Sequence, residues 1–361
     1  MAIDWTDVET FARAPGKVGD ATCDPDASWG HRRGDGPGQR DELFFGYYLS
    51  MATMVKQDHG AAVPELVRSA LVTPCRVDPV PAFVPVLREM AAAGVLFGDV
   101  LADSGYSHRL AENWSLPVRA LGAELIMDLH PHDRGTQGTH GGAICANGNL
   151  YCPATPTALL GIDPLARGAS ADEIAAHDVK SAELARYKLG RLTKDDADGF
   201  HRVACPAAAG KVRCPKKELS MALANNRPEV FNPPQGQLGC CAQASITVPP
   251  SVNAKTRQKY DYPSAAHRLS YGRRSAAERS NSTIKDPASN DIARGWCRLM
   301  GQEAMTLMLA CVIVVRNQRV LEAFERRQAL DRRREAQGLP PKTRQRQRKS
   351  LADLMAAPAT S

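Results

Sequence analysis

Four residues in one short stretch have the types and spacing of a reaction centre. They are Tyr271, Arg274, Glu278 and Lys285, within Tyr271-Gly272-Arg273-Arg274-Ser275-Ala276-Ala277-Glu278-Arg279-Ser280-Asn281-Ser282-Thr283-Ile284-Lys285. On a helix, offsets of three, four and seven residues fall on one face, so these side chains form a single stripe. The stripe is polar where a core stripe would be apolar. A carboxylate flanked by Arg and Lys suits a site that holds a metal and an anionic substrate together. A surface helix stabilised by ion pairs one turn apart fits the same spacing, which alone leaves both readings open. Two further acids close apolar runs: Asp103 follows Gly98 to Ala102, and Asp4 follows Met1-Ala2-Ile3. Asp7 lies close to Asp4, but only Asp4 directly ends the run, and strand alternation turns Asp7 to the opposite side.

The spacing Tyr-x2-Arg-x3-Glu-x6-Lys, met at Tyr271, Arg274, Glu278 and Lys285, resembles the signature helix of bacterial insertion-sequence transposases of the DDE class. Asp103-Ser104-Gly105-Tyr106 is similar to the surroundings of that family's second acid, and Asp4-Trp5-Thr6 to the Asp-x-Thr context of the first. The resemblance covers roughly residues 1 to 325. It implies an α/β, ribonuclease-H-like catalytic core in which Asp4, Asp103 and Glu278 are the catalytic, metal-binding carboxylates. Arg274 and Lys285 would contact backbone phosphates. Tyr271 would face the DNA by stacking or hydrogen bonding, with packing against an insertion as the other reading of that ring. The implied reaction is DNA strand cleavage and strand transfer, as in DNA transposition and recombination. Two divalent ions about 3.5 to 4 Å apart activate the attacking oxygen and stabilise the leaving one, and hard carboxylate ligands suit Mg2+ or Mn2+. Members of the family carry a helical DNA-binding domain ahead of the first acid, so this chain is expected to be a catalytic core without that module. A stand-alone metal nuclease on the same fold and a truncated, inactive remnant that only binds DNA are the alternatives.

Carboxylates from two strands and a distant helix converge only if a layered fold brings them together. The sequence divides accordingly. Residues 1–129 read as the first half of the catalytic core: a short opening strand ending at Asp4, a Gly-, Pro-, Asp- and Arg-rich loop over 14–42, β-prone runs at Leu43 to Val55 and Leu66 to Val72, and a helix after Pro79. A strand ending at Asp103, a helix over 107–120 and a strand from Ala123 to Leu129 complete an α/β layer. Residues 130–262 read as an insertion with its own small structure, including a charged helix near 170–196 and a β-prone run from Ala244 to Val248. Helical periodicity marks 263–330, broken at Asp286-Pro287, as the second half of the core, and 331–361 as a basic tail.

Composition bounds the partners. The 361 residues carry a formal charge of +7 with 43% hydrophobic residues, close to the globular average. Residues 326–349 hold ten Lys and Arg against Asp331 and Glu335, an excess of +8 that leaves the remainder at −1. Arg332-Arg333-Arg334 and the run Lys342, Arg344, Arg346, Arg348, Lys349 match a nucleic-acid footprint, so DNA is the expected partner. A homodimer is compatible with this reading and a membrane partner is not expected: the longest apolar run, Met305 to Val315, is about half the roughly 20 residues a spanning helix needs and reads as a buried helix. The ten cysteines and the N-terminal residues carry no secretory pattern, which makes a cytoplasmic location the expectation. Cys145, Cys152, Cys205, Cys214, Cys240 and Cys241 cluster in the insertion. A structural zinc is one reading of them; their x6 and x8 spacings favour buried free thiols behaving as small apolar residues. His130 and His132 read as loop residues with no matching pair at ligand spacing.

Overall fold

The computed structural model describes residues 1–16, 20–32, 41–166 and 168–340. It is a mixed α/β arrangement built on a six-stranded mixed sheet. In chain order, the sheet region comprises β1 (Ala2–Glu9), β2 (Ser28–Arg32), β3 (Glu42–Thr53), β4 (Val67–Pro74), α1 (Pro79–Ala92), β5 (Asp99–Ala102), α2 (Ser104–Ser107), α3 (Ser115–Ala120) and β6 (Glu124–Met127). The long β3 organises the antiparallel half: β1 lies along one edge, while β2 and β4 share the other. β1 then meets β5 in parallel, in register only at Ala2 and Leu101, and β5 runs parallel to β6.

Period-2 alternation sorts the side chains to two faces. Ile3, Ala52, Val100, Ala102, Leu125 and Met127 pack with Val80, Phe83 and Leu87 of α1 and Val118 of α3. On the opposite face, Val8, Tyr47, Leu49, Met51 and Val72 meet the C-terminal helices described below. Helix α1 begins cleanly because the Asp78 side chain caps it by accepting from Val80 N–H at 3.1 Å, with Pro79 in the first turn.

Two expectations for this half need correction. The opening strand does not end at Asp4; it continues to Glu9, because Val8 is a core residue and Arg32 pairs with Asp7 at 2.5 Å and with Glu9 at 2.7 Å. Those pairs also explain why part of the stretch read as loop is β2, whose residues gain their strand geometry from pairing with residues 42–46 of β3. The helix expected over 107–120 is instead the short α2 and α3 with a 3-10 turn at Ala111–Asn113 between them.

Between β6 and the C-terminal helices lies a region with two three-stranded antiparallel sheets of its own. The first joins β7 (Thr136–His140), β8 (Ala143–Ala146) and β9 (Asn149–Tyr151). Then come α4 (Thr157–Leu160), α5 (Ala171–Tyr187), β10 (Gly190–Arg191), β11 (His201–Ala204), α6 (Glu218–Met221), α7 (Gly239–Ala242) and β12 (Ile246–Val248), with β10, β11 and β12 forming the second sheet. Helix α5 starts at a reciprocal capping box between Ser170 and Glu173.

The chain returns through α8 (Ala265–Tyr271), a 3-10 turn at Gly272–Arg274, α9 (Ser275–Ile284) and α10 (Gln302–Ala336). Residues 285–301 contain no helix, a wider break than Asp286-Pro287 alone suggests. Helix α10 runs past Leu330, so Arg332, Arg333 and Arg334 are helical and do not belong to a tail. Nor is α10 simply a buried helix. By length and composition it is apolar enough to cross a membrane, but Met305, Leu309 and Ile313 are buried in the core against the sheet while Leu307 and Val314 face outward. Residues 341–361, with Lys342, Arg344, Arg346, Arg348 and Lys349, lie outside the described residues.

Candidate active site

Helix α9 lies close against the sheet because its inward positions are small. Ala276, Ala277 and Ser280 are buried, with Ile284 following one turn later. The Thr53 hydroxyl donates to Ser280 Oγ at 3.2 Å, and the buried Arg316 of α10 donates to the same oxygen at 2.8 Å. This close fit carries the N-terminal end of α9 to Asp4. Arg274 Nη1 lies 3.3 Å from Asp4 Oδ2, and the other end of the guanidinium pairs with Glu278 one turn on. Asn281 Nδ2 donates to Asp4 Oδ2 at 3.2 Å, and the Trp5 N–H donates to Asp4 Oδ1 at 3.0 Å. Asp4 is largely buried, whereas the Glu278 side chain keeps 55% of its exposure.

Asp103 follows the last residue of β5 and caps α2, accepting from the Gly105 N–H at 2.9 Å. A side chain at residue 105 has no room: a Cβ there would meet the Trp5 ring at 2.5 Å and Asp103 Oδ1 at 3.1 Å. The glycine therefore lets β1 and the β5–α2 turn approach each other. Burial, reinforced by the charge of Asp103, pushes the Asp4 carboxyl up to about 7, with Arg274 and the Trp5 N–H acting the other way and Glu278 adding to the rise. Burial also raises Asp103, against the pull of Arg274 and two backbone N–H groups, and Asp128 raises it further. The three acids and Arg274 thus share one electrostatic environment. Burial works against the Arg274 charge, but Tyr271 first and then Asp4, Asp103 and Glu278 outweigh it and raise its proton affinity.

Asp128 is a fourth acid that sequence reasoning passed over. In the parallel pairing, Ala102 is opposite Met127, so Asp103 and Asp128 are the next residues of adjacent strands. The Tyr262 hydroxyl donates to Asp128 Oδ1 at 2.7 Å and Arg134 lies 3.4 Å away. The signal was an Asp inside the apolar run from Ala123 to Leu129, whose position opposite Asp103 depends on strand register.

Tyr271 and Lys285 occupy different surroundings. The Tyr271 ring stacks on His267 at a centroid distance of 5.6 Å, packs near Ala2, Leu101 and Ala277, and carries the Arg274 guanidinium 5.8 Å from its centre. It therefore packs against the sheet, in a cluster that Tyr260 at the end of the inserted region also joins. Lys285, at the C-cap of α9, pairs with Asp7 at 2.8 Å and takes no part in the Asp4–Arg274–Glu278 group. Both cations of the expected phosphate-contacting pair are thus engaged with carboxylates.

No known protein family, curated protein or solved structure matches the chain. The site is read from its own geometry. One more donor group stands nearby in sequence: ligand atoms of His108, His130 and Asp133 lie within 4.8 Å of one another. His108, which follows α2, is the partner that the reading of His130 and His132 as loop residues lacked. Asp133 Oδ1 already accepts from Lys255 at 2.7 Å, and His130 Nδ1 accepts from the His132 N–H at 3.3 Å. This set uses none of the four carboxylates.

Proposed function

We propose that this chain is the catalytic core of a DDE-class transposase that cleaves and joins DNA strands with Mg2+ or Mn2+. The observation that carries the reading is the bridge by which Arg274 gathers Asp4 and Glu278, acids from the first strand and a C-terminal helix, beside Asp103. The sheet supports it: three antiparallel strands followed by two parallel ones, with β1 between the two halves, is the order expected of a ribonuclease-H-like core.

The residues fit a divalent metal. Asp4, Asp103 and Glu278 lie close to Arg274, with Asp128 beside Asp103; burial raises Asp4 first, and the charges of Asp103 and Glu278 raise it further against the pull of Arg274. Their oxygens are hard donors of the kind Mg2+ and Mn2+ take. Asp4, Asp103 and Glu278 would hold two such ions, which when bound supply Lewis-acid activation at the phosphodiester. Arg274 orients the acids without metal and would turn to the phosphate when metal replaces it as their counter-charge. Tyr271 holds Arg274 from below through its ring face. Lys285 would meet the DNA backbone only after leaving Asp7.

A strand-transfer assay tests this reading, using a labelled duplex that carries an end of the genetic element encoding the chain, with and without Mg2+. Metal-dependent joined products that vanish in Glu278→Gln are expected. Nicked products without joining would point instead to a stand-alone nuclease, and DNA binding without cleavage to an inactive remnant. Cleavage retained in Glu278→Gln would overturn the assignment.

A further inference from the structure

Two turns at one end of the main sheet carry donor side chains that the carboxylate site does not use. His108 is the C-cap residue of α2, just after β5, while His130 and Asp133 flank the 3-10 turn that follows β6. Ligand atoms of the three lie within 4.8 Å of one another, and the His108 and His130 rings are neighbours at a centroid distance of 4.0 Å. The backbone sets this proximity. The His130 N–H donates to Ser107 Oγ at 3.0 Å, which fastens the residue before His108 to His130 itself. On the other side of His108, Arg109 pairs with Asp78 at 2.8 Å. No cysteine of the inserted region belongs to such a group among the described residues.

One oxygen of Asp133 lacks a donor. The residue is 9% exposed; its Oδ1 accepts from Lys255 at 2.7 Å, whereas its Oδ2 is shut off from solvent and has no hydrogen-bond partner. His108 Nδ1 stands 3.9 Å from that oxygen, too far for a hydrogen bond. Burying an acceptor without a donor is costly, and an ion held between the two atoms removes that cost. Lys255 occupies Oδ1 and leaves Oδ2 toward His108, as ligating carboxylates are held through hydrogen bonds of their own. The remaining competitor is weak: the His132 N–H reaches His130 Nδ1 at a long 3.3 Å. Ligation through either ring nitrogen releases it, because a neutral imidazole has one lone pair to give.

We infer that His108, His130 and Asp133 bind one zinc ion that clamps the turn after β5 to the turn after β6. Two imidazoles and one carboxylate are a donor set that zinc takes, with water in the fourth position. Mg2+ is held by oxygen ligands, so this site differs from the carboxylate site in chemistry as well as in residues. Bonds of about 2.0 to 2.1 Å set tetrahedral ligand atoms about 3.4 Å apart. The His108 side chain is 45% exposed, and a small turn of its ring closes the gap to Asp133. The clamped turns begin at Asp103 and Asp128, so the ion fixes the spacing of these two acids while using neither. The inference rests on the three side chains and is independent of the reaction proposed above.

The test uses the full chain, stripped of metal with a chelator, dialysed, and titrated with ZnCl2 against a chromophoric zinc chelator. Excess Mg2+ is present throughout to keep zinc from the carboxylates. About one zinc per chain is expected, with affinity lower by about tenfold or more in His108→Ala and in Asp133→Asn. It should be unchanged in His140→Ala, whose ring meets the Thr247 carbonyl at 2.8 Å. Should the variants fail to fold, zinc K-edge absorption of the loaded wild-type chain gives the second readout: nitrogen and oxygen neighbours at about 2.0 to 2.1 Å with imidazole scattering are expected. A sulfur shell at about 2.3 Å would put the metal on cysteines and overturn the inference. So would the lack of a saturable zinc site in excess Mg2+, or zinc lost in Glu278→Gln yet kept in His108→Ala.

Discussion

Arg274 reaches Asp4 across 270 residues of sequence, its Nη1 lying 3.3 Å from Asp4 Oδ2 while its other nitrogen holds Glu278. One guanidinium thus stands between an acid of the first strand and an acid of a C-terminal helix. Removing it leaves a buried carboxylate without its cation. Arg274→Gln should therefore destabilise the metal-free chain by about 1 to 3 kcal/mol at pH 8, and by less at pH 5, where Asp4 is neutral. Urea denaturation at the two pH values checks this; equal costs at both would contradict the bridge.

Asp4 has a further pH signature. Its folded value of about 7 lies above the ordinary 3.8, so between those values the folded state holds a proton that the unfolded state has released. The metal-free chain should lose roughly 2 to 4 kcal/mol of this contribution as pH rises from about 4 to 7. Asp4→Asn should flatten that part of the profile. Saturating Mg2+ should flatten it too, since metal binds the ionised form.

His267 produces the opposite slope. Its Nε2 lies 2.9 Å from the Met127 carbonyl, and burial lowers its proton affinity below the ordinary 6.5, with the carbonyl and Asp128 acting the other way. The unfolded chain therefore binds the proton first as pH falls through 6.5, and stability drops from there until the folded histidine titrates. Comparing wild type with His267→Gln by thermal unfolding between pH 7 and pH 5 isolates the contribution; parallel profiles would show that His267 contributes nothing to the slope.

Gly105 is predicted to tolerate no side chain. A Cβ would lie 2.5 Å from the Trp5 ring, so Gly105→Ala must displace either that ring or the α2 turn that bears Asp103. A loss of about 1 to 3 kcal/mol is expected. Trp5→Leu should recover part of it in the double variant, and additive losses would show that the two positions do not meet.

DNA affinity should depend on the residues after α10. Truncation after Pro340 spares the helix yet removes Lys342, Arg344, Arg346, Arg348 and Lys349. The log–log slope of binding against salt should flatten by about 0.9 for each phosphate that the shortened chain leaves unneutralised. Fluorescence anisotropy across a salt series measures it, and an unaltered slope excludes the segment from DNA binding.

Local pattern made some of this legible and register hid the rest. The aromatic run in β3, its partner β4 and the proline-led α1 follow from propensity and periodicity, and Asp103 could be located because a short apolar run stops there. β2 could not, since Ser28–Arg32 is too short and polar to announce a strand until β3 pairs with it. The continuation of β1 through Asp7 and Glu9 likewise depends on Arg32, and the surroundings of Lys285 depend on Asp7. Asp128 gains its relation to Asp103 only from the pairing of β5 with β6, and His108 its relation to His130 only from the turn after α2. Pairings between distant segments carry no local signature.

The chain leaves the main sheet after Asp128 and comes back at Tyr262, and the phenol of one is bonded to the carboxylate of the other at 2.7 Å; the Met127 N–H is held by Gln258 at 2.7 Å beside it. Departure and return are therefore fastened together, with Ser115 and Arg119 holding the Ala254 carbonyl and Lys259 pairing with Asp99 alongside. A backbone severed between residues 131 and 257 would leave Asp4, Asp103 and Asp128 on one fragment and Tyr262, Arg274 and Glu278 on the other, each with its side of that fastening intact. Such halves, produced separately and mixed, are expected to associate through these contacts, and the pairing of Arg274 with Asp4 would report their reunion.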